Sequence, residues 1–291
     1  MSAMLYLDEF RLPDADKEWN YFRHKNAEYA YDSVYPFQHF PKKQWDRIVF
    51  DAVTIFYGGN GSGKSTVLNI IAQKLALPRE SGFNHSALFD DYVQLCRAST
   101  LRHLPDRSRI ITSDDVFDYM FGVRDFNDGV DRRREDLFAE YQHYKNTPLK
   151  LHSMEDYEEF KQGLAARRSS TTRYVRQRVT NNIRTQSNGE SALHYFQMQM
   201  RSGALYLLDE PENSLSAERQ IQLADFLYGC ARFEGYQLVL ATHSPFLLAI
   251  PGARIYDLDR VPVDTAPWTQ LPNVRIYYDF FRQHQSEFED R

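Results

Sequence analysis

Cysteine is nearly absent from this chain, which has only Cys96 and Cys230 among 291 residues. The two are isolated in sequence, with neither metal-ligand spacing nor a disulfide framework. Their scarcity argues against a cysteine-ligated metal centre and against a disulfide-stapled secreted domain, and it suits a reducing cytoplasm.

Long apolar runs are also lacking. No stretch approaches the roughly 20 residues that a membrane-spanning helix needs. The longest candidate, residues 238–251, is interrupted by His243 and Pro245. The first ten residues lack the basic and apolar segments of a signal peptide. We therefore expect a soluble, cytoplasmic protein with no membrane contact.

An excess of positive charge is missing as well. The chain has 35 Lys and Arg against 40 Asp and Glu, a net charge of −5. No global basic field would therefore attract nucleic acid, and any contact with a polyanion must come from a local patch. The sequence also has no internal repeat and no heptad array, which excludes long coiled-coil arms.

Glycine, in contrast, is concentrated in residues 58–66, which fit G-x-x-x-x-G-K-[ST], the phosphate-binding loop of nucleoside triphosphatases. Residues 47–57 before the loop favour a strand, and residues 67–75 after it have helical apolar spacing. This context disfavours the alternative, a glycine-rich turn that binds nothing.

Backbone N–H groups of the loop and the positive end of the helix dipole would face a phosphate. We expect Lys64 to reach the β- and γ-phosphates of ATP and Ser65 to bind Mg²⁺. The predicted nucleotide ligands in the loop are Gly58, Asn60, Gly61, Ser62, Gly63, Lys64, Ser65 and Thr66.

Two acids follow a short apolar run at residues 204–208, which is typical of a buried parallel strand. We expect Asp209 to hold Mg²⁺ opposite Ser65, and Glu210 to act as the general base on the attacking water. The alternative is that these acids merely cap a helix. The phosphate loop earlier in the chain favours the catalytic interpretation.

The rest of the sequence predicts a mixed α/β fold. Residues 1–57 favour short strands in a small antiparallel sheet, with the proline-containing segment 35–41 extended. Charged helical patterns at 131–144 and 154–166 suggest a separate lobe. We predict a central, mostly parallel sheet with an N-terminal antiparallel β subdomain and an inserted helical lobe. Three tyrosines could stack on the base, although core packing explains them equally well: Tyr29, Tyr31 and Tyr35.

The segment 161–184 carries seven basic residues and no acidic one, directly after an acidic cluster at 155–159. Its plain interpretation is a solvated face that pairs with those acids. The alternative is a surface that binds the phosphates of DNA or RNA, or an acidic partner protein.

The order of four motifs resembles the ATP-binding cassette (ABC) ATPases. The motifs are the glycine loop, Gln-Ser-Asn-Gly-Glu-Ser at 186–191, Leu-Tyr-Leu-Leu-Asp-Glu-Pro at 205–211, and Thr-His-Ser at 242–244. The resemblance implies that Ser187, Gly189 and Glu190 belong to the signature motif. It implies that His243 is the switch histidine that contacts the γ-phosphate, and that residues 213–216 form the D-loop.

More narrowly, the chain is similar to stand-alone bacterial ATPases of the AAA type that are related to the SMC and RecF group and are not transporters. Two positions depart from the ABC pattern. Ser216 stands where the D-loop usually ends in an acid. Asp114, after a predicted strand at 109–113, stands where a Q-loop glutamine is expected, and it is a third candidate metal contact beside Ser65 and Asp209.

The resemblance implies one ABC ATPase domain over residues 1–291. Residues 1–77 would form the β subdomain and phosphate loop, 78–190 the inserted lobe that ends in the signature, and 191–291 the remaining α/β core with a C-terminal helix. ATP would join two copies head-to-tail, and hydrolysis would release them. The dimer would control a nucleic-acid transaction or an effector protein such as a nuclease, as in DNA repair or phage defence. The alternative is the nucleotide-binding subunit of a membrane ABC transporter.

Overall fold

The computed structural model describes residues 5–25, 33–146, 157–181, 188–213 and 215–289. Three residues named above lie outside these ranges, namely Tyr29, Tyr31 and Ser187, and so does Arg184, the last basic residue of the segment 161–184. The chain divides into two compact units, Met1–Phe117 with Asn188–Arg291, and Asp118–Ser187. No helix in the described ranges is both long and apolar enough to cross a membrane.

A six-stranded sheet forms the centre of the first unit. Five strands run parallel, and their residues are largely buried on both faces, as is typical of parallel sheets covered by helices. The sixth strand, β9, is a short antiparallel edge. In spatial order the strands are β5 (Arg109–Thr112), β6 (Leu205–Asp209), β7 (Gln237–Ala241), β3 (Val53–Tyr57), β8 (Arg254–Asp257) and β9 (Asp264–Thr265).

The register of this sheet brings the motif-bearing strand ends together. Asp209 at the end of β6 pairs with Ala241 at the end of β7, and Ala241 pairs with Phe56 near the end of β3. Because parallel strands end at the same edge, the segments after β3, β6 and β7 lie side by side. The predicted parallel sheet is confirmed.

A second, antiparallel sheet of three strands confirms the predicted β subdomain. Its order is β2 (Arg47–Val49), β1 (Leu7–Arg11) and β4 (Arg97–Thr100). The single strand predicted at 47–57 is therefore wrong, because β2 and β3 belong to different sheets. Buried Gln237 links the two sheets, since its Oε1 accepts from the N–H groups of Tyr6 and Leu7, both at 2.8 Å.

Two helices were not predicted before the phosphate loop, where short strands with irregular connections were expected. Residues Ala15–Lys25 form helix α1, and His39–Lys42 form the short helix α2, so the extended segment predicted at 35–41 is wrong for its last three residues. Asp14 caps α1, since its Oδ1 accepts from Lys17 N at 2.8 Å. Glu18 and Phe22, one helical turn apart, are the buried residues of this helix.

The remaining helices of the first unit cover the sheets. Helix α3, directly after the phosphate loop, contacts β4 of the antiparallel sheet and β6 and β7 of the central sheet, and its residues from Val67 to Ala72 are buried. The bounds are α3 (Lys64–Lys74), α4 (Phe89–Leu95), α8 (Asn188–Gln199), α9 (Ala217–Phe233), α10 (Pro245–Leu248), a 3₁₀ turn (Trp268–Gln270), α11 (Pro272–Gln283) and α12 (Gln285–Glu289).

The second unit is helical, as predicted for the inserted lobe. It contains most of α5 (Ser113–Asn146) together with α6 (Tyr157–Arg168) and α7 (Thr171–Arg176). Its own small core consists of Leu137, Tyr141, Ala166, Tyr174 and Val175. The unit is shorter than the predicted 78–190, because β4 and β5 pair into the sheets of the first unit.

Candidate functional site

The glycine loop turns directly into α3, so the first N–H groups of that helix face the loop. Gly61 and Gly63 adopt φ values of 78° and 101°, in the left-handed region that favours glycine. A Cβ at Gly63 would lie 2.6 Å from His39 Nε2. Lys64 is buried, and its ammonium donates to the carbonyls of Gly58 at 2.8 Å and Gly59 at 3.1 Å. The loop therefore has the backbone form that exposes N–H groups to an anion.

Ser65 and Asp209 meet as the sequence predicts. The Ser65 hydroxyl donates to Asp209 Oδ1 at 2.9 Å. Burial raises the pKa of Asp209 to about 6, and the Ser65 hydrogen bond partly opposes this rise. A hydroxyl and a carboxylate are ligand types that Mg²⁺ accepts, and a cation would favour the ionised form of a buried acid. These two residues fit a magnesium ion.

Glu210 lies between two other predicted site residues. Its Oε1 is 3.9 Å from Lys64 Nζ and 3.9 Å from His243 Nδ1. Its backbone has φ 47°, a strained value for a residue with a side chain, which costs on the order of 1–3 kcal/mol. The strain is held by the Glu210 N–H, which donates to Ala241 O at 2.9 Å, and by Asn213, whose Nδ2 donates to Glu210 Oε2 at 3.1 Å. Strain of this kind clusters at functional sites.

His243 follows β7 on a segment that is held by its backbone. Its N–H donates to Glu212 Oε1 at 3.1 Å, and its carbonyl accepts from Asn273 Nδ2 at 3.3 Å. Asn273 N in turn donates to Tyr57 OH at 3.1 Å. Sequence reasoning did not identify Glu212, Asn273 or Tyr57. Only Glu212 had a signal, its position two residues after the proposed base.

Asp114 lines a polar cavity of about 460 Å³ together with Ser65 and Asp209. The adjacent Asp115 has a structural role instead, because its buried carboxylate accepts from the N–H groups of Ser81 and Thr112, both at 2.7 Å. The acidic pair predicted after β5 is thus split between the cavity and a local cap. The metal role of Asp114 stays a prediction.

Arg79 lines the same cavity and was not identified from the sequence. Its NH1 donates to Asn69 Oδ1 at 2.8 Å, and Asn69 Nδ2 donates to the carbonyl of Ser65 at 2.8 Å. The guanidinium lies 4.3 Å from the centre of the Phe83 ring. Burial lowers the pKa of Arg79, partly offset by nearby acids that include Asp209. The Arg79 guanidinium therefore places a positive charge in the cavity that Ser65 and Asp209, the candidate metal ligands, also line.

Tyr35 is the one base-stacking candidate within the described ranges. Its hydroxyl hydrogen-bonds to Thr66 Oγ1 at the start of α3, and its ring meets His39 edge-on at 5.4 Å between centroids. His39 Nε2 lies 3.1 Å from the carbonyl of Ser62, and burial lowers the pKa of this imidazole. Tyr35 thus lies beside the phosphate loop, and its role toward a base stays a prediction.

The predicted signature falls at the start of α8. Gly189 and Glu190 belong to the first turn of that helix, whereas Ser187 lies outside the described residues. In the predicted D-loop, Ser216 caps α9 by accepting from Arg219 N at 3.4 Å. The structure therefore brings together Lys64, Ser65, Asp209, Glu210 and His243.

A larger cavity than the polar one, about 750 Å³, lies elsewhere in the first unit. It is lined mainly by aromatic and apolar side chains of α10, the 3₁₀ turn and α11, such as Trp268, Tyr278 and Phe281. Among the described residues that line it, Arg275 is the one with a charge. Size alone therefore does not mark the phosphate site, which is identified by its polar groups.

Comparison with known sequences gives one family match. Residues 95–249 match the family described as "AAA domain, putative AbiEii toxin, Type IV TA system". The match covers more than half of the chain and includes Asp209, Glu210 and His243, while the glycine loop lies before it. Among curated proteins, none matches significantly.

Many solved structures are similar to this chain, and three of them are described here. One is described as "An inward-facing conformation of a putative metal-chelate type ABC transporter", with 14% identity, TM-score 0.41, and coverage of 93% of this chain and 85% of the other. The second is an SmcHead bound to the C-winged helix domain of ScpA, with 15% identity, TM-score 0.37, and coverage of 76% and 92%. The third is an ATP-binding cassette in a dimeric post-hydrolysis state bound to ADP and Pi, with 17% identity, TM-score 0.34, and coverage of 75% and 88%.

Proposed function

This chain belongs to the AAA domain family that matches residues 95–249, and we propose that it is a Mg²⁺-dependent ATPase. One observation carries the proposal. Glu210 Oε1 lies 3.9 Å from both Lys64 Nζ and His243 Nδ1, directly after the strand end at which Asp209 meets Ser65. A carboxylate between a phosphate-loop lysine and a histidine is placed to accept a proton from a water that attacks the γ-phosphate.

Each group has a separate part in this proposal. The loop N–H groups and Lys64 bind the β- and γ-phosphates. Ser65 and Asp209 would hold Mg²⁺, whose positive charge would offset the charge of the phosphates. Glu210 accepts the proton of the attacking water, and the His243 imidazole donates to a γ-phosphate oxygen. Asp114, which lines the same cavity, would contact water or the metal ion.

The proposal predicts different defects for Lys64→Ala and Glu210→Gln. Removing the Lys64 ammonium weakens ATP binding by about ten- to a hundredfold, since a charge-assisted hydrogen bond contributes about 1.5–3 kcal/mol. Glu210→Gln keeps ATP affinity, because it preserves size, but lowers kcat by about 10²–10⁴-fold through loss of the base. Calorimetric ATP binding and steady-state phosphate release measure the two effects.

Chelation of Mg²⁺ with EDTA is the matching control and should abolish turnover in the wild-type protein. The ATPase proposal is wrong if the wild-type chain releases no phosphate from ATP with Mg²⁺. It is equally wrong if Glu210→Gln turns over at the wild-type rate.

A finer proposal concerns assembly. ATP bound at one phosphate loop is closed over by Ser187 and Gly189 of a second copy, so that two chains pair head-to-tail and separate after hydrolysis. The support is the Ser-Asn-Gly-Glu sequence of 187–190, whose small residues allow a helix N-terminus to approach the γ-phosphate. Asn213 adds support, because it joins the predicted D-loop to the proposed base.

The partner proposed for this switch is a nucleic acid, or an effector protein such as a nuclease, in the cytoplasm. Its support is the basic segment 161–184, which lies largely on α6 and α7. The described basic side chains of that segment are all exposed to solvent: Lys161, Arg167, Arg168, Arg173, Arg176 and Arg178. Exposed guanidinium groups clustered on two short helices suit phosphate contacts.

A further inference from the structure

Glu212 is a buried carboxylate that the proposed chemistry does not use. Its side chain is 5% exposed, and its Oε1 accepts two hydrogen bonds, from Thr242 Oγ1 at 2.5 Å and from His243 N at 3.1 Å. Its Oε2 is buried without a hydrogen-bond partner among the described residues. Burying a half-satisfied carboxylate costs stability, so its presence calls for a functional reason.

Both hydrogen bonds end on the segment that carries the proposed switch histidine. Thr242 and His243 are the first residues after β7, where the sheet ladder no longer fixes the backbone on both sides. Glu212 holds two consecutive residues of that segment through one oxygen. Asn273 holds the carbonyl of His243 from α11. The backbone sets the direction of the Cα–Cβ bond of His243, and the imidazole extends from that bond in a staggered rotamer.

Glu212 also belongs to the turn that carries the proposed base. It lies two residues after Glu210, whose N–H donates to Ala241 O at the end of β7. The turn after β6 and the segment after β7 are therefore joined twice, once by the Glu210 backbone and once by the Glu212 side chain. These two links connect the backbones that carry Glu210 and His243, whose Oε1 and Nδ1 atoms lie 3.9 Å apart.

We propose that Glu212 is a positioning residue that fixes His243 relative to Glu210 by accepting hydrogen bonds from Thr242 Oγ1 and His243 N. The proposal rests on ATP hydrolysis at this site. It attributes the positioning of His243 to the location of one acceptor oxygen of Glu212 and not to the negative charge of the carboxylate. Glutamine at this position can place its amide oxygen where Oε1 lies, whereas alanine removes the acceptor.

The kinetic test compares Glu212→Ala and Glu212→Gln, each in the wild-type and His243→Ala backgrounds. Glu212→Ala should lower kcat by about ten- to a hundredfold with KM nearly unchanged, since displacement of a reacting group by about 1 Å has an effect of that size. Glu212→Gln should stay within about threefold of wild type. In the His243→Ala background, Glu212→Ala should add almost nothing, because it acts through that histidine.

Three kinetic outcomes would each overturn the proposal. One is a Glu212→Gln defect as large as that of Glu212→Ala, which would point to charge. Another is a loss of kcat caused by Glu212→Ala in the His243→Ala background that is as large as its loss in the wild-type background. The third is a rise in KM with kcat unchanged.

Amide hydrogen exchange tests the clamp without any turnover. In Glu212→Ala, residues 242–248 should exchange about tenfold faster or more, because the His243 N–H loses its acceptor. Glu18→Ala is the matched control, since Glu18 is another buried carboxylate that accepts a backbone N–H, from Gln38, and it should leave this segment unchanged. Unchanged exchange in Glu212→Ala would refute the clamp. Absence of wild-type hydrolysis would instead refute the ATPase proposal, so the two failures are distinguishable.

Discussion

Two glutamates of the first unit have pKa values shifted in opposite directions. Burial raises the pKa of Glu18 to about 7, although the N–H of Gln38 donates to its carboxylate at 2.6 Å. Glu9 receives hydrogen bonds from Arg11 and Arg47, and these lower its pKa. The folded state therefore favours the protonated form of Glu18 and the ionised form of Glu9.

These shifts predict opposite pH dependences of stability. The unfolded chain ionises Glu18 near pH 4.5, but the folded protein does so only near 7, so the Glu18 contribution is fully present below pH 4.5 and is lost as the pH rises through about 7. Glu18→Gln should therefore stabilise the protein at pH 8, by at most about 3 kcal/mol, at about 1.4 kcal/mol per pKa unit. The gain should vanish near pH 4.5. Urea unfolding across this range measures it.

Glu9→Gln is the control of opposite sign. The favourable contribution of Glu9 is present above pH 4.5 and is lost as the pH falls through its lowered folded-state pKa. Its replacement should slightly destabilise the protein at pH 8, with a small effect because solvent screens the pairs. Destabilisation by Glu18→Gln at pH 8 would contradict the assigned burial cost.

At the residue scale, the sequence predicted the residues proposed to act on ATP better than the residues that position them. Lys64, Ser65 and Asp209 occur in motifs whose spacing along the chain already encodes their meeting. Asn273 and Arg79 reach the site only through packing, and no local pattern distinguishes them from other polar residues. Supporting residues depend on tertiary structure and are therefore less visible in sequence.

At the scale of elements, the extent of burial explains why strands β6 and β7 were predicted and helix α1 was not. Residues 205–208 of β6 and 238–241 of β7 are continuous apolar runs, which are typical of a covered parallel sheet. Helix α1 was missed because it buries few of its residues, and its clearest start signal is a single capping aspartate, Asp14. The break between β2 and β3 was missed because both strands are apolar and only three residues apart.

The basic residues of helices α6 and α7 lead to a prediction about nucleic-acid binding. Charge reversal to Glu at Arg167, Arg168, Arg173 and Arg176 should abolish salt-sensitive binding of duplex DNA or single-stranded RNA. Each lost phosphate contact should reduce the slope of log K against log salt by about 0.7–0.9. Fluorescence anisotropy with labelled oligonucleotides at several salt concentrations measures both the affinity and the slope.

The second unit also supplies a matched control. Arg133 and Arg134 on α5 already pair with Glu140 and Asp131, so reversing their charge should leave nucleic-acid affinity nearly unchanged. Equal loss in this control would show that the effect is not specific to α6 and α7. Wild-type protein that binds neither DNA nor RNA would exclude direct nucleic-acid contact and leave the effector protein as the proposed partner.

At the scale of the whole molecule, two chains are proposed to complete one site. The phosphate loop, the strand-end acids and the histidine lie together in the first unit, and Gly189 and Glu190 of the predicted signature belong to the first turn of α8. Sequence order revealed the motifs, but it did not reveal the register that aligns the ends of β3, β6 and β7. A second copy would supply the signature to the first.

The most direct test of this account is the mass of Glu210→Gln measured by light scattering with ATP and Mg²⁺. We expect twice the chain mass with ATP and the single-chain mass with ADP, because the variant binds ATP and does not release the dimer by hydrolysis. Adding Ser187→Arg, which places a bulky cation in the signature, should restore the single-chain mass while ATP stays bound. A Glu210→Gln protein that binds ATP and remains a monomer at saturating ATP and Mg²⁺ would contradict the account.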